Sequence, residues 1–376
     1  MAGHMIKLKS GYAVRFDLGR DPVSGERKQE YASGFRTKKE AEQYVAEQQS
    51  LHDKGLLVQS TQMTFGSYLE YWLANHVRQN LTPKTAEGYA SLINAHVKPA
   101  LGSVRLDKLT PLLIQDYYTS MLEEGLSART VKNHHRVICR ALNDAVKWQL
   151  VYRNVTQAVN PPKPLRFQIT VLDSHQIPVL LNVLRDTQYY MIVLTAVHTG
   201  MRRGELLGLK WAEVDFENGV LRVTRSLNYV TGMGNVLRET KYDRPRAVAM
   251  TAQSMNALRE HKKQQDSAKG ELKTLYTDND FVFAQTNGKP LLASELTRVF
   301  NKKISNTDLP KIRFHDLRHT HATLLLKKGV HPKIVSERLG HSSIAITLDI
   351  YSHVLPNLQF EAVQKLEEEL KFIEIT

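Results

Sequence analysis

The chain has 376 residues, 42% of them hydrophobic and 24% charged, enough for two or three domains with buried cores. Its net charge is +13, and the excess is spread along the chain rather than gathered in one tail, as in a protein that neutralises phosphates along an extended polyanion. No apolar run approaches the roughly 20 residues of a membrane-spanning helix, no secretory signal is legible, and a single cysteine, Cys139, rules out an internal disulfide, so the cytoplasm is the expected compartment and Cys139 an expected small core residue.

Met1-Ala-Gly-His-Met5 reads as a cloning remnant before a native Met5, which places the first domain at residues 5–58. Tyr12-Ala-Val14-Arg-Phe16-Asp-Leu18 alternates as a strand does, Asp21 to Gly25 is a turn, and Lys28 to Phe35 returns. Thr37 caps a helix, with Glu40 at the capping-box position. A three-stranded basic sheet with one helix suits a DNA major groove. Residues 59–63 read as a linker.

A second domain, 64–158, is helical. Apolar residues recur at helical spacing from Thr64 to Trp72, Thr82-Pro83 and Thr110-Pro111 start two more helices, and Ser127 starts a fourth that runs to Trp148. Four helices of this length suit a bundle. Lys84, Arg129, Lys132 and Arg136 lie near helix starts, where side chains and backbone amides meet phosphates together.

Asn160-Pro-Pro-Lys-Pro164 breaks the pattern and marks the third domain at 166–376. Helices are predicted at 173–186, 188–199, 251–268, 293–304, 316–328 and 332–339, and strands near Val220–Ser226 and Ala247–Met250. The expected fold class is therefore multidomain: a small three-stranded β-sheet plus helix, an all-α four-helix domain, and a mixed, mainly α domain with a small β-sheet.

Three segments of this last domain carry chemistry. HTGMRRGELLGLKW holds Arg202 and Glu205, RFHDLRHTHAT holds His315 and Arg318, and LGHSSIAITLDIYSH holds His341 and Tyr351. An enzyme that attacks a phosphodiester without a metal must offer positive charge and donors to the phosphate oxygens. Arg202 and Arg318 can grip those oxygens with planar forks, and Glu205 and His315 each lie one turn away to orient them. A phenol with an ordinary pKa of about 10 needs a base or a strong electrostatic pull; His315 is the candidate base and His341 a second donor or base. Lys241, in a turn between two strands, is the candidate acid for the leaving oxygen, with Arg244 and Arg246 as rivals. His315, His319 and His321 invite a metal reading, but helical zinc hydrolases need Glu directly after the first His, and Asp316 stands there. No metal and no cofactor is expected.

At these residues the chain resembles the tyrosine recombinases, specifically the phage and conjugative-transposon integrases with an arm-binding N-terminal domain. Their pattern is an Arg in a TGxRxxE segment, a Lys in a β-hairpin, an HxxR pair, a His in an LGH segment and a Tyr about ten residues on. It falls here on Arg202, Lys241, His315, Arg318, His341 and Tyr351. The resemblance implies that Tyr351 attacks a scissile phosphate, leaving a 3′-phosphotyrosine and a free 5′-hydroxyl, with neither ATP nor metal needed to reseal. It further implies a Holliday junction within a homotetramer on double-stranded DNA. Residues 64–155 and the catalytic domain would clamp core DNA, and the first domain would hold arm sites. A host bending protein and an excisionase are the accessory partners it implies. Leu358, Phe360, Val363, Leu366, Leu370 and Phe372 form an apolar stripe that either packs in cis or docks on a neighbouring protomer. The alternatives are a type IB topoisomerase and a non-catalytic DNA-binding regulator.

Overall fold

The computed structural model describes residues 2–20, 27–53, 62–165, 169–239, 245–351 and 358–370. Two compact units divide the chain, Met1–Arg166 and Phe167–Thr376.

The first unit opens with an antiparallel sheet in the order β1 (Ala2–Leu8), β2 (Gly11–Arg20), β3 (Arg27–Phe35). The opening residues therefore belong to the fold, which corrects the expected start at residue 5. Gly3 pairs with Phe16 across the ladder, and a Cβ at Gly3 would stand 2.7 Å from the Phe16 ring. The predicted turn at Asp21–Gly25 and most of the 59–63 linker lie outside the described residues. Helix α1 (Lys38–Asp53) starts with the predicted capping box. Glu40 N donates to Thr37 Oγ1 at 3.2 Å, and Thr37 N donates back to Glu40 Oε2 at 3.3 Å. Val14, Phe16 and Ala41 form the small core of this module, with Tyr44 and Val45 against it.

The helices that follow start where capping chemistry places them. Thr64, Thr82, Thr110 and Ser127 each accept a hydrogen bond from the backbone amide three residues on. Helix α2 (Phe65–Trp72) continues through a π-helical turn, Leu73–Val77, into α3 (Arg78–Asn80). In the same way α4 (Pro83–Leu92) runs through Ile93–Val97 into α5 (Lys98–Leu101). Helices α6 (Pro111–Glu123) and α7 (Ala128–Lys147) complete the set. Their shared core includes Phe65, Tyr68, Trp72, Ile93, Tyr118 and Ile138. Its polar atoms are matched: Tyr68 Oη donates to Ala141 O at 2.5 Å, and Trp72 Nε1 to Asp144 Oδ2 at 2.8 Å. Cys139 is only half-buried, not the expected core residue. The amides of Asn143 and Asn154 reach its sulfur at 3.7 and 3.5 Å, which makes that edge of α7 polar.

The second unit begins with α8 (Gln176–Leu184), α9 (Tyr190–Thr199) and α10 (Arg203–Gly208). A three-stranded antiparallel sheet joins β4 (Val214–Asp215) and β5 (Val220–Val223) to a later strand, and β6 (Arg225–Val230) pairs with β7 (Gly234–Glu239) in a separate hairpin. The later strand is β8 (Arg246–Ala249). The single strand predicted for Val220–Ser226 is thus two. Thr224, between them, turns its hydroxyl onto Glu213 instead of continuing the ladder. Helices α11 (Ala252–Leu272), α12 (Ala293–Ile304), α13 (Asp316–Lys327), α14 (Pro332–Leu339), α15 (Ile344–Tyr351) and α16 (Leu358–Leu370) follow. One core spans the helices and one face of the small sheet, with Leu180, Ile192, Leu206, Leu221, Val248 and Phe300 within it. Among the described residues no helix is long and apolar enough to cross a membrane.

Candidate active site

Two left-handed glycines shape the site. Gly200 (φ 64°) ends α9, and a Cβ there would stand 2.6 Å from Leu339 and 2.7 Å from His321. Gly340 (φ 67°) ends α14, and a Cβ there would stand 2.9 Å from the Arg246 guanidinium. Each turn therefore needs glycine for both its conformation and its close contacts.

Just past the first turn, Arg202 occupies the N-cap position of α10. Its backbone amide donates to Glu205 Oε2 and its Nη1 to Glu205 Oε1, both at 2.8 Å. Its Nη2 donates to the carbonyl of Gly340, 138 residues away, at 2.8 Å. Glu205 is 2% exposed. Burial opposes its charge, but the hydrogen bonds and charges of Arg246 and Arg202 prevail and hold its carboxyl at about 2. The predicted pairing of Arg202 with Glu205 is present, and a second guanidinium shares the carboxylate.

That second guanidinium is Arg246, on β8. It grips Glu205 through Nη1 at 3.1 Å and Nη2 at 2.6 Å, and its Nε donates to Arg338 O at 2.9 Å. Arg246 is thus bonded through all three of its nitrogens, to Glu205 and to the α14 backbone.

His315 is the residue before α13 and Arg318 lies in its first turn, 4% exposed. Arg318 Nη1 donates to Gly200 O at 2.9 Å, which sets it two residues from Arg202 across the α9 turn. Burial, followed by the charge of Arg318, lowers the pKa of His315. His319 stacks edge-on against His315, ring centroids 5.5 Å apart. His321 is committed elsewhere. Its Nδ1 donates to Val197 O at 2.9 Å, and its Nε2 accepts from Arg338 Nε at 3.0 Å. A histidine fixed on both nitrogens has none left for a metal, and the described residues contain no group of three metal-ligating side chains.

His341 follows Gly340, and its Nδ1 shares a hydrogen bond of 2.8 Å with the hydroxyl of Thr347. Thr347 is 1% exposed and sits in the middle of α15, four residues before Tyr351, the last residue of that helix. Burial, then the charges of Arg318 and Arg202, push the His341 ring down to about 3, so it is neutral at physiological pH. The structure thus gathers Arg202, Glu205, His315, Arg318 and His341 in one electropositive site. Lys241 and Arg244, and the Tyr351 side chain, lie outside the described residues.

The four DNA-contact candidates lie in the first unit. Arg129, Lys132 and Arg136 share one face of α7, with both arginines exposed. Lys84 is exposed and paired with Glu87 at 2.6 Å.

Comparison with known proteins decides the family. Residues 170–357 match the phage integrase family, residues 64–122 a phage integrase N-terminal SAM-like domain, and residues 4–50 an arm DNA-binding domain. A tyrosine recombinase XerC-like protein of Caldanaerobacter subterraneus subsp. tengcongensis is 30% identical over 96% of this chain and 96% of its own. The chain belongs to the phage integrase family. It is a tyrosine recombinase, an enzyme of DNA recombination.

The fold of this recombinase also matches solved structures. The Tn1549 transposon integrase in complex with a circular intermediate DNA aligns over 81% of this chain and 99% of its own, with a TM-score of 0.68 and 23% identity. A lambda integrase tetramer bound to a Holliday junction aligns over 90% and 95%, with a TM-score of 0.55 and 19% identity. Two contacts of the recombinase site are not marked in the sequence. Nothing near Arg246 points to its grip on Glu205. Thr347 carries no motif, although its place four residues before Tyr351 puts both on one helical face.

The buried histidines make a pH prediction. His319, His321 and His341 are held at about 4, about 4 and about 3, in each case chiefly by burial, against an ordinary 6.5. Below 6.5 the unfolded chain takes up protons at these rings and the folded chain does not. The stability they contribute is whole above 6.5 and drains as the pH falls towards 4. Calorimetry should show the Tm of the catalytic unit falling from pH 6.5 to 4.5, well before Glu205 titrates. A flat Tm across that window contradicts the assignment.

Proposed function

We propose that Tyr351 is the nucleophile of this recombinase and that Arg202, Arg318, His315, His341 and Lys241 serve it. Arg202 and Arg318 bind the non-bridging oxygens of the scissile phosphate and stabilise the charge that builds there. His315, neutral because of burial and Arg318, accepts the phenol proton. His341, its Nδ1 on Thr347, turns Nε2 to the phosphate. Lys241 protonates the leaving 5′-oxygen. Tyr351 attacks phosphorus, the P–O5′ bond breaks, and a 3′-phosphotyrosine remains for the partner strand's 5′-hydroxyl to attack. The observation that carries this reading is the convergence of two arginines and two neutral histidines from three distant segments, beside the helix that ends at Tyr351.

The remaining parts take roles by the same reading. Residues 5–58, extended to the start of β1, bind arm-type DNA, in keeping with the arm-domain match. The four helices of residues 64–158 bind core DNA, with Lys84, Arg129, Lys132 and Arg136 on phosphates. Residues 166–376 are catalytic. Phe360, Val363, Leu366 and Leu370 are 76, 62, 57 and 52% exposed on α16, which favours docking on a neighbouring protomer over packing in cis. Phe372 lies outside the described residues. Four such protomers assemble around two duplexes.

The test is a nicked suicide duplex spanning the recombination site mapped in the DNA that flanks the gene. The protein should become linked to it in an SDS-resistant adduct. Excess EDTA should leave the yield unchanged, because guanidinium groups supply the charge that a metal would. A yield abolished by EDTA and restored by a divalent cation overturns that part of the reading.

A further inference from the structure

We infer that Arg246 is a positioning residue for strand cleavage, holding Arg202 free to act by carrying the charge of Glu205 in its place. This rests on the phosphodiester-cleaving reading of the site above. The geometry is a shared carboxylate. Glu205, 2% exposed, receives Arg202 on one side and both terminal nitrogens of Arg246 on the other. Two guanidinium charges against one carboxylate leave one positive charge over. Arg246 is the more buried of the two, its side chain 10% exposed against 29% for Arg202. The surplus charge therefore falls on Arg202, the partner that a phosphate can reach. Without Arg246, the carboxylate and Arg202 neutralise one another, and the phosphate meets a closed ion pair.

Arg246 also joins three segments. Its Nε holds the carbonyl of Arg338, its guanidinium lies against Gly340, and Gly340 O accepts from Arg202. The turn that presents His341 is thereby fixed to the same carboxylate as Arg202. In sequence, Arg246 stands five residues after Lys241. One side chain on β8 thus ties the Arg202 corner and the His341 turn to the strand that the Lys241 segment enters.

The experiment measures adduct formation in a single turnover on two nicked duplexes. One carries the natural phosphate at the scissile position and the other a methylphosphonate, which is neutral and needs no cation to offset its charge. Arg246→Gln should lower the rate on the phosphate about 100-fold, the scale of a lost electrostatic donor, and on the methylphosphonate only a fewfold. Duplex affinity should stay within about threefold. Arg246→Lys restores the charge without the fork and should recover part of the rate on the phosphate. It also serves where Arg246→Gln fails to fold. A purely structural role lowers both substrates alike. Equal losses on the two duplexes, or Arg246→Gln at the wild-type rate, overturn the inference while leaving the nucleophile assignment intact. Absence of an adduct from the wild-type protein sinks both together.

Discussion

A Tyr351→Phe protein should bind its recombination site as the wild type does and form no SDS-resistant adduct on the nicked duplex. The substitution removes one oxygen from the last residue of α15. Phenylalanine keeps the ring and the helix propensity, so folding and DNA affinity have no reason to change. Covalent chemistry has no substitute for the missing hydroxyl, because water at the same phosphate would give a hydrolysed strand rather than a linked one. The loss should be at least about 10⁴-fold, the limit of gel detection, equivalent to more than about 5 kcal/mol of barrier. Strand exchange and junction resolution should disappear with it. An adduct that survives in Tyr351→Phe, mapped by peptide sequencing to another residue, would move the nucleophile and dismantle the site as proposed.

The second large effect is expected at Arg318. Arg318→Gln should slow cleavage about 10³-fold, as removal of a buried donor to a developing charge does. Duplex affinity, set mostly by phosphates along the whole contact, should fall only a fewfold. The substitution also has an acid–base signature. Arg318 is the leading charge that depresses both His341 and His315, after burial itself. Without it both pKa values should rise, and proton NMR titration of the two rings reads the shift directly. The stability lost between pH 6.5 and 4.5 should shrink accordingly, since the folded chain then takes up some of the protons that only the unfolded chain took before. Cleavage within tenfold of wild type, or histidines that titrate unchanged, would show that Arg318 faces neither the phosphate nor the rings.

Much of this architecture was legible because it is written locally. Thr64, Thr82-Pro83, Thr110-Pro111 and Ser127 mark helix starts by side chains that bond their own backbone, and these four were read to within a residue, whereas α8 begins three residues after the predicted 173. The family was legible for a different reason. Arg202, His315, Arg318, His341 and Tyr351 lie in short segments whose residue types suit few tasks other than phosphate chemistry. What stayed hidden depends on pairs far apart in sequence. Arg246 meets Glu205 across 41 residues and Arg338 across 92, so nothing near Arg246 distinguishes a structural guanidinium from a catalytic one. The break at Thr224 was hidden for the same reason, because the hydroxyl's partner, Glu213, comes from the preceding segment. The opening residues were misread because a strand that pairs only on one side, with small residues such as Ala2 and Gly3, carries no hydrophobic alternation of its own.

Thr347 is the midpoint of α15, and its hydroxyl holds the ring of His341 while the same helix ends one turn later at Tyr351. On the reading proposed above, the residue that delivers the nucleophile and the hydroxyl that holds His341 therefore share one helix. A displacement of α15 would move the backbone at Tyr351 and break the Thr347–His341 hydrogen bond together.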